Sequence, residues 1–476
     1  MTEERNVVLI CLDTVRKDFF DEMADSLLEM ADLRYDQCRA ASSWSVPSHG
    51  SMFTGQLPHE HGVHAYNSDF STLDDENVWL TDLDDHVTMN ISANVWLTRS
   101  FGINKFFDKQ IDIASQQRFK DGMNVKEFKN EENTEGWQMY AAFIQTALQH
   151  DYPIQSLING IFGKTLSYIR HTPVPTPVDD GATRIIKESL KQIDTTEEPF
   201  FLFQNFMDAH GPLHHVWGHN QNLHDVPLSW SSNDLDAWNL VFNQNDDVSD
   251  CKHGIRHYRE LYRTAIDYLD RKISSFISTV QNQTDRETTF VITADHGENL
   301  AYPADDWTLN HASSLSEGLL HVPLCVINPP KNNSTVIDGF VSHLQLGKLI
   351  MGLADGKVDK IQNEPIAAEL IGGSPQVRKR AKERDEIDYW DRMQRCAYKD
   401  ETKYLWDSLG ATKTLDIDFH KSCWQQERID ESQVPEWASM LFRTDIETYD
   451  QISDSEMSAN EFPNAIRDQL KNLGYI

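Results

Sequence analysis

The chain has 476 residues, of which 75 are acidic and 43 basic, for a formal net charge of −32. A surface of that sign repels nucleic acid and anionic lipid, which sets aside a phosphate-tracking binder. With 39% hydrophobic residues and 12 tryptophans, the chain is long and apolar enough to fold as one large domain with a smaller one, rather than to stay disordered.

The six cysteines (Cys11, Cys38, Cys251, Cys325, Cys396 and Cys423) are scattered without C-x-x-C spacing and read as reduced thiols. M-T-E-E-R-N leads straight into a strand, without a basic-then-apolar leader. No apolar run approaches the roughly 18 residues of a membrane span. The expectation is a soluble cytoplasmic protein, and a salt-rich cytoplasm would suit the acidic surface.

Asn6–Asp13 is a continuous apolar run ending in an acid, the pattern of a buried parallel strand with Asp13 at its carboxyl end. Ligands of open α/β sheets bind at those ends. Asp13 can equally cap the next helix. Residues 22–33 read as a helix. From Ser42 to Val63 a loop runs to Pro47, followed by a short helix that Gly55 can end. Ser45 then sits just ahead of a helix N-terminus, where free N–H groups favour a tetrahedral oxyanion; an N-capping serine is the plainer reading. His59, His61 and His64 follow and are read as a structural loop.

Val87–Asn94 reads as a second strand. Residues 112–180 are the least informative, with a helical patch from Trp137 to Leu148 and a Pro-rich turn cluster at 172–177. Gly181–Ile193 reads as a helix capped by Asp179 or Asp180. Pro199–His210 reads as another buried strand. His214–Asp250, polar with Trp217, Trp230 and Trp238, reads as a substrate-side loop region. From Gly254 to Gln281 apolar residues recur at three and four, a long amphipathic helix. Thr288–Glu298 is again an apolar strand ending in an acid, now with His296 beside Asp295; that donor pair suits a divalent ion. Leu324–Pro329 reads as a strand and Ser342–Ala354 as a helix. Past Gly356 the chain turns more charged, with shorter strands.

Ser45-Val46-Pro47-Ser48-His49, four residues, then Thr54-Gly55 resembles the signature of the sulfatase family, within the alkaline phosphatase superfamily. The family's common cysteine is Ser45 here and its usual arginine is His49. Asp13-Thr14-Val15-Arg16, Met207-Asp208-Ala209-His210-Gly211-Pro212, Asp295-His296-Gly297 and the stretch His311–Leu324 resemble further blocks of that family. The resemblance covers roughly the first 350 residues and implies an α/β fold, a large mixed but mostly parallel sheet sandwiched by helices, over 1–355. It also implies a smaller α+β subdomain over 356–476 with a four-stranded sheet and the Lys403-Tyr404 pair.

On that resemblance Asp13, Ser45, Asp295 and His296 would bind one divalent metal ion (Ca, Mg, Mn or Zn). Ser45, as serine or as formylglycine, would be the nucleophile, with His49, His210 and His311 serving the transferred group and the leaving oxygen. Two departures stand out: Thr14 replaces a frequent second Asp, and Asn94 with Trp96 or Leu97 stands where a Lys and a His often bind substrate. The implied activity is hydrolysis of sulfate esters on a small molecule or glycan. A phosphoesterase or phosphotransferase using unmodified Ser45 is the second reading, and an inactive sulfatase-like glycan-binding protein the third. Nucleic acid is not an expected partner, and a homo-oligomer is left open.

Overall fold

In the computed structural model the described residues are 4–449, apart from 114–121, 124–127, 129–136, 170–171, 173, 243–247, 312, 331–334 and 430–432. Pro173 of the Pro-rich cluster therefore lies outside the described residues.

The strands in chain order are β1 Asn6–Leu12, β2 Leu33–Arg39, β3 Val87–Ser92, β4 Lys109–Asp112, β5 Phe200–Phe206 and β6 Thr288–Thr293. Then come the short pair β7 Asn299–Leu300 and β8 Leu309–Asn310, followed by β9 Leu324–Ile327 and β10 Thr335–Ser342. The main sheet has eight strands in the order β10-β2-β9-β6-β1-β5-β3-β4. β9 runs antiparallel to both neighbours, and the other paired strands run parallel.

Successive side chains of a strand point to opposite faces, and every residue of β1, β5 and β6 is buried, so both faces of the centre are covered. Helix Lys252–Gln283 lies against β6 and gathers helices Lys17–Met23, Asp25–Met30 and Ala182–Asp194 around it. Helix Leu346–Ala354 lies on β1 and meets helix Ser45–Thr54. The N-cap of Ala182–Asp194 is Gly181 rather than Asp179 or Asp180, although the Asp179 carboxylate, two residues earlier, accepts from the Thr183 N–H at 3.0 Å.

Three local expectations are corrected. The segment 22–33 is no single helix: two helices break at Ala24, and the chain is already in β2 by Leu33. The helix of the serine loop starts at Ser45 rather than after Pro47, so Ser45 lies in its first turn and Pro47 sits where its missing N–H has no partner to lose. The C-terminal sheet has five antiparallel strands, not four: β11 Ile366–Leu370, β12 Gln394–Lys399, β13 Thr402–Asp407, β14 Thr412–Ile417 and β15 Gln425–Glu427, in that order. Ile366, Ala368, Leu370 and Tyr398 extend the core of the main sheet into it. A buried ion network crosses the same boundary: Glu317 meets Arg39 of β2 at 2.9 Å and Lys403 of β13 at 3.0 Å.

Helix Ser45–Thr54 is fixed at its far end by Gly55, which adopts φ 69° and returns its N–H to the Ser51 carbonyl at 2.8 Å. A Cβ there would stand 2.9 Å from the Leu344 carbonyl oxygen. Left-handed backbone costs an L-residue roughly 1–2 kcal/mol before any clash. Gly55→Ala is therefore expected to lower stability by about 2 kcal/mol or more, read as a shift in urea midpoint at unchanged slope.

Candidate active site

The carboxyl ends of β1, β3, β5 and β6 converge on Ser45. Asp13 follows β1, Asn94 follows β3, and Asp295 with His296 follows β6, all fully buried. The ligand atoms of Asp13, Asp295 and His296 lie within 4.8 Å of one another. Ser45 Oγ is 3.5 Å from Asp13 Oδ2 and 3.5 Å from His296 Nε2. These four residues, more than 280 positions apart at their extremes, thus share one small volume.

The electrostatics of this cluster suit a cation. Asp13 Oδ1 and Asp295 Oδ2 are buried with no hydrogen-bond donor. Burial, then the neighbouring Asp295 charge, pushes the Asp13 carboxyl well above its usual range. Burial pushes Asp295 the same way, but His296, His49 and Ser45 outweigh it and hold Asp295 below the usual range. Two buried carboxylates facing each other cost several kcal/mol unless a positive charge lies between them. Two carboxylates and an imidazole are a donor set that a divalent ion takes readily.

His49 is also at the cluster, but beneath it. It is fully buried, with Nδ1 2.7 Å from the Ser45 carbonyl oxygen and 3.6 Å from Asp295 Oδ2. Its Nε2 faces Asn205 Nδ2 at 3.5 Å and Cys11 Sγ at 3.8 Å, inside the sheet. His210 and His311 stand together on the other side. Their rings are 5.2 Å apart, and the His311 ring is 4.7 Å from that of His296. Burial holds His210 and His311 down at about 4, so both imidazoles are neutral at neutral pH.

Sequence reasoning missed Glu298, and it noted Asn94, Thr14 and Trp96 without their contacts. Glu298 Oε2 lies 2.9 Å from His311 Nδ1, and burial pushes its carboxyl up to about 7. Glu298 is placed in turn by Arg16, which donates to the Glu298 carbonyl oxygen at 3.0 Å and is ion-paired with Asp305 at 2.9 Å. Asn94 donates from Nδ2 to Asp13 Oδ2 at 2.7 Å and to Ser45 Oγ at 3.0 Å, a neutral donor against the candidate nucleophile. Thr14, at φ 63°, turns its hydroxyl back to the Asp13 carbonyl and adds no carboxylate; its own carbonyl accepts from the Tyr262 hydroxyl at 2.6 Å. Trp96 is buried edge-on to Trp44 at 5.6 Å, so that position packs the wall rather than offering an imidazole.

His59, His61 and His64 are spread over separate partners. His59 pairs with Glu369, His61 sits under Gly50 and against Ser51, and His64 meets Tyr449. They form a structural loop, as expected.

Solved structures of similar fold include the phosphonate monoester hydrolase of Agrobacterium radiobacter, with TM-score 0.59, 15% identity, and coverage of 88% of this chain and 90% of that one. BT1596, a 2-O GAG sulfatase, aligns with TM-score 0.55 and 13% identity over 98% of this chain and 96% of its own. The phosphonate monoester hydrolase of Silicibacter pomeroyi gives 0.55 and 13% over 97% and 96%. At such identities the likeness is one of fold. No curated protein matches the chain. The sulfatase family model matches residues 5–356, well over half of the sequence, and the chain belongs to the sulfatase family of ester hydrolases.

Proposed function

We propose that the protein is a metal-dependent hydrolase of sulfate esters whose attacking atom is the oxygen on residue 45. The observation that carries this reading is the pair of donorless buried carboxylate oxygens, on Asp13 and Asp295, beside Ser45 Oγ. Asp13, Asp295 and His296, with the Ser45 oxygen, would hold the divalent cation. When bound, that cation lowers the pKa of a neighbouring hydroxyl and offsets charge on the attacked group.

The chain's own residues do the rest. Asn94 fixes the direction of the Ser45 oxygen through its 3.0 Å hydrogen bond. His49 braces the Ser45 carbonyl and Asp295 from below, so we assign it positioning rather than proton transfer. His311 has one ring nitrogen engaged by Glu298, which leaves the other for the ester's leaving oxygen, with His210 beside it. With the Glu298 carboxyl protonated and donating to Nδ1, the neutral His311 carries its single N–H on Nε2 and can donate it to the departing group.

A second reading is a phosphoester or phosphonate-ester hydrolase working through unmodified Ser45. It is favoured by the neutral Asn94 and buried Trp96, which supply none of the charge that a Lys and His would bring. Two of the solved structures of similar fold are named as phosphonate monoester hydrolases, and another as a 2-O GAG sulfatase. We take residues 1–355 as the catalytic part, 356–476 as its subdomain, and the six free thiols as consistent with a cytoplasmic location.

The test is turnover of aryl sulfate, aryl phosphate and an aryl phosphonate monoester, before and after chelation and metal add-back. The mass of the Ser45 peptide accompanies it, since loss of a hydrogen pair marks formylglycine. Preference for sulfate that depends on metal supports the first reading. Preference for phosphorus esters with unmodified Ser45 selects the second, and no turnover of any of the three sinks both.

Glu298→Gln gives a sharper prediction. It keeps the shape but removes the carboxylate that orients His311. The expected result is a kcat loss of roughly 10- to 100-fold with KM unchanged, below the 10²–10⁴ that a general acid supplies.

A further inference from the structure

Between β4 and helix Ala182–Asp194 the chain inserts two helices, Trp137–Gln149 and Pro153–Ile169, packed on each other. Their inner stripe (Phe143, Ala147, Leu157) joins Met123 and Phe128 in a small core separate from that of the sheet. Among the described residues nothing covers their outer stripe. Trp137 is 76% exposed, Ile144 50%, Leu148 60%, Ile154 72% and Ile161 68%. Positions 137, 140, 144 and 148 fall on one side of the first helix, and 154, 158 and 161 on one side of the second. Exposed apolar residues normally occur singly, so two adjoining helical stripes mark a contact surface.

Charge singles out the same segment. A quarter of the chain's residues are charged and the net charge is −32, yet residues 137–169 carry only Asp151 and Lys164. Their other polar residues are amides and hydroxyls, with the one imidazole of His150. Beside the hairpin, a groove of about 470 Å³ runs between Phe162, the 66% exposed Trp217, and the cations Arg184, Arg271 and Lys272, with Asp179 also in its wall. Arg271 is paired with Asp267 at 2.8 Å and Lys272 donates to Thr183 at 3.1 Å, so the excess positive charge of the groove is small. An aromatic and aliphatic face with a cationic flank is the composition of a helix pair that lies in a lipid–water interface. At 1.5 Å per residue the longer helix is roughly 25 Å long, short of the ~30 Å hydrocarbon core, and among the described residues no helix can cross a membrane.

The insertion is also tied to the edge of the sheet that carries the active site. It leaves β4 at Asp112 and returns at Gly181 beside Ala93; Thr176 pairs with Val216, a few residues past His210.

We propose that residues 137–169 are a peripheral docking hairpin for a phospholipid bilayer, inserting the outer stripe among the acyl chains with Arg271 and Lys272 against headgroup phosphates. Docking brings esters carried on lipid headgroups to the Ser45 side of the molecule. That second statement rests on the hydrolase reading; the docking does not.

The test is flotation of the full-length protein with phosphatidylcholine vesicles, read without turnover. The wild type is expected to float, and the combined variant Ile144→Asn, Ile158→Asn, Ile161→Asn to lose at least 10-fold of its vesicle affinity while hydrolysing a soluble aryl ester as before. Arg271→Gln with Lys272→Gln should weaken binding by several-fold. Wild-type protein that stays with the soluble fraction overturns the proposal. So does equal flotation of the triple variant. Concentration-dependent dimerisation that the triple variant abolishes, without vesicle binding, assigns the face to a second copy and overturns it as well.

Discussion

Ser45→Ala is expected to lower turnover by roughly 10⁴-fold or more, with the metal content and fold unchanged. The residue is buried at the first turn of its helix, and its oxygen is the one hydroxyl found between Asp13, His296 and Asn94. Alanine keeps the helix start, since Ser45 is not the capping residue; that place is held by Trp44. Asp13, Asp295 and His296 remain to bind the cation, so metal analysis should still find it. The size of the loss separates two chemistries. If water bound at the same place attacks the ester directly, removing the hydroxyl costs much less than 10⁴. Retention of turnover to within tenfold would therefore move the attacking atom off residue 45.

The parts of this site that could be read from the sequence share one property: a continuous apolar run that stops at an acid. Asn6–Leu12 and Thr288–Thr293 are such runs, and their neighbours in the sheet are each other, so Asp13 and Asp295 had to emerge side by side. What escaped was polar and relational. β2 was hidden because it carries Arg39, whose charge is matched inside the protein by Glu317, itself held by Lys403 far along the chain. The partnership of Glu298 with His311 depends on how the loop between them folds, including the β7–β8 ribbon, and leaves no periodic mark. Asn94 resembled a missing substrate-binding residue and is instead a donor to Ser45 and Asp13. Of the hairpin, the sequence showed helix only from Trp137 to Leu148; the second helix, Pro153–Ile169, was not read, and neither was the surface. A stripe pattern says which residues share a side, and only packing shows that both its sides are apolar.

Acidification should destabilise the protein above the ordinary carboxylate range, because of three buried histidines away from the active site. His61, His64 and His321 each accept a backbone N–H at Nδ1, from Val63 at 3.0 Å, Tyr66 at 3.3 Å and Cys423 at 3.2 Å. Protonating that nitrogen would set two N–H groups against each other in a site without water. Burial accordingly holds His61 at about 3 and His64 at about 4, and His321 well below the usual value, with Arg39 and Lys17 adding to the effect. The unfolded chain takes up these protons near pH 6.5, so below that pH it binds more protons than the folded state, and stability falls. Each of His61 and His64 then removes roughly 2 kcal/mol by pH 5, and His321 acts in the same direction, against a net stability of about 5–15 kcal/mol for a typical domain. Urea unfolding is thus expected to show a stable plateau above pH 7 and a drop of at least about 4 kcal/mol by pH 5. His61→Asn, whose amide oxygen stands where Nδ1 stood and can still accept from Val63, should shrink that drop by about 2 kcal/mol even if it costs stability at pH 7.5. A stability profile flat from pH 7.5 to pH 5 would mean that these rings take up protons in place, and that the hydrogen bonds to their Nδ1 atoms do not form.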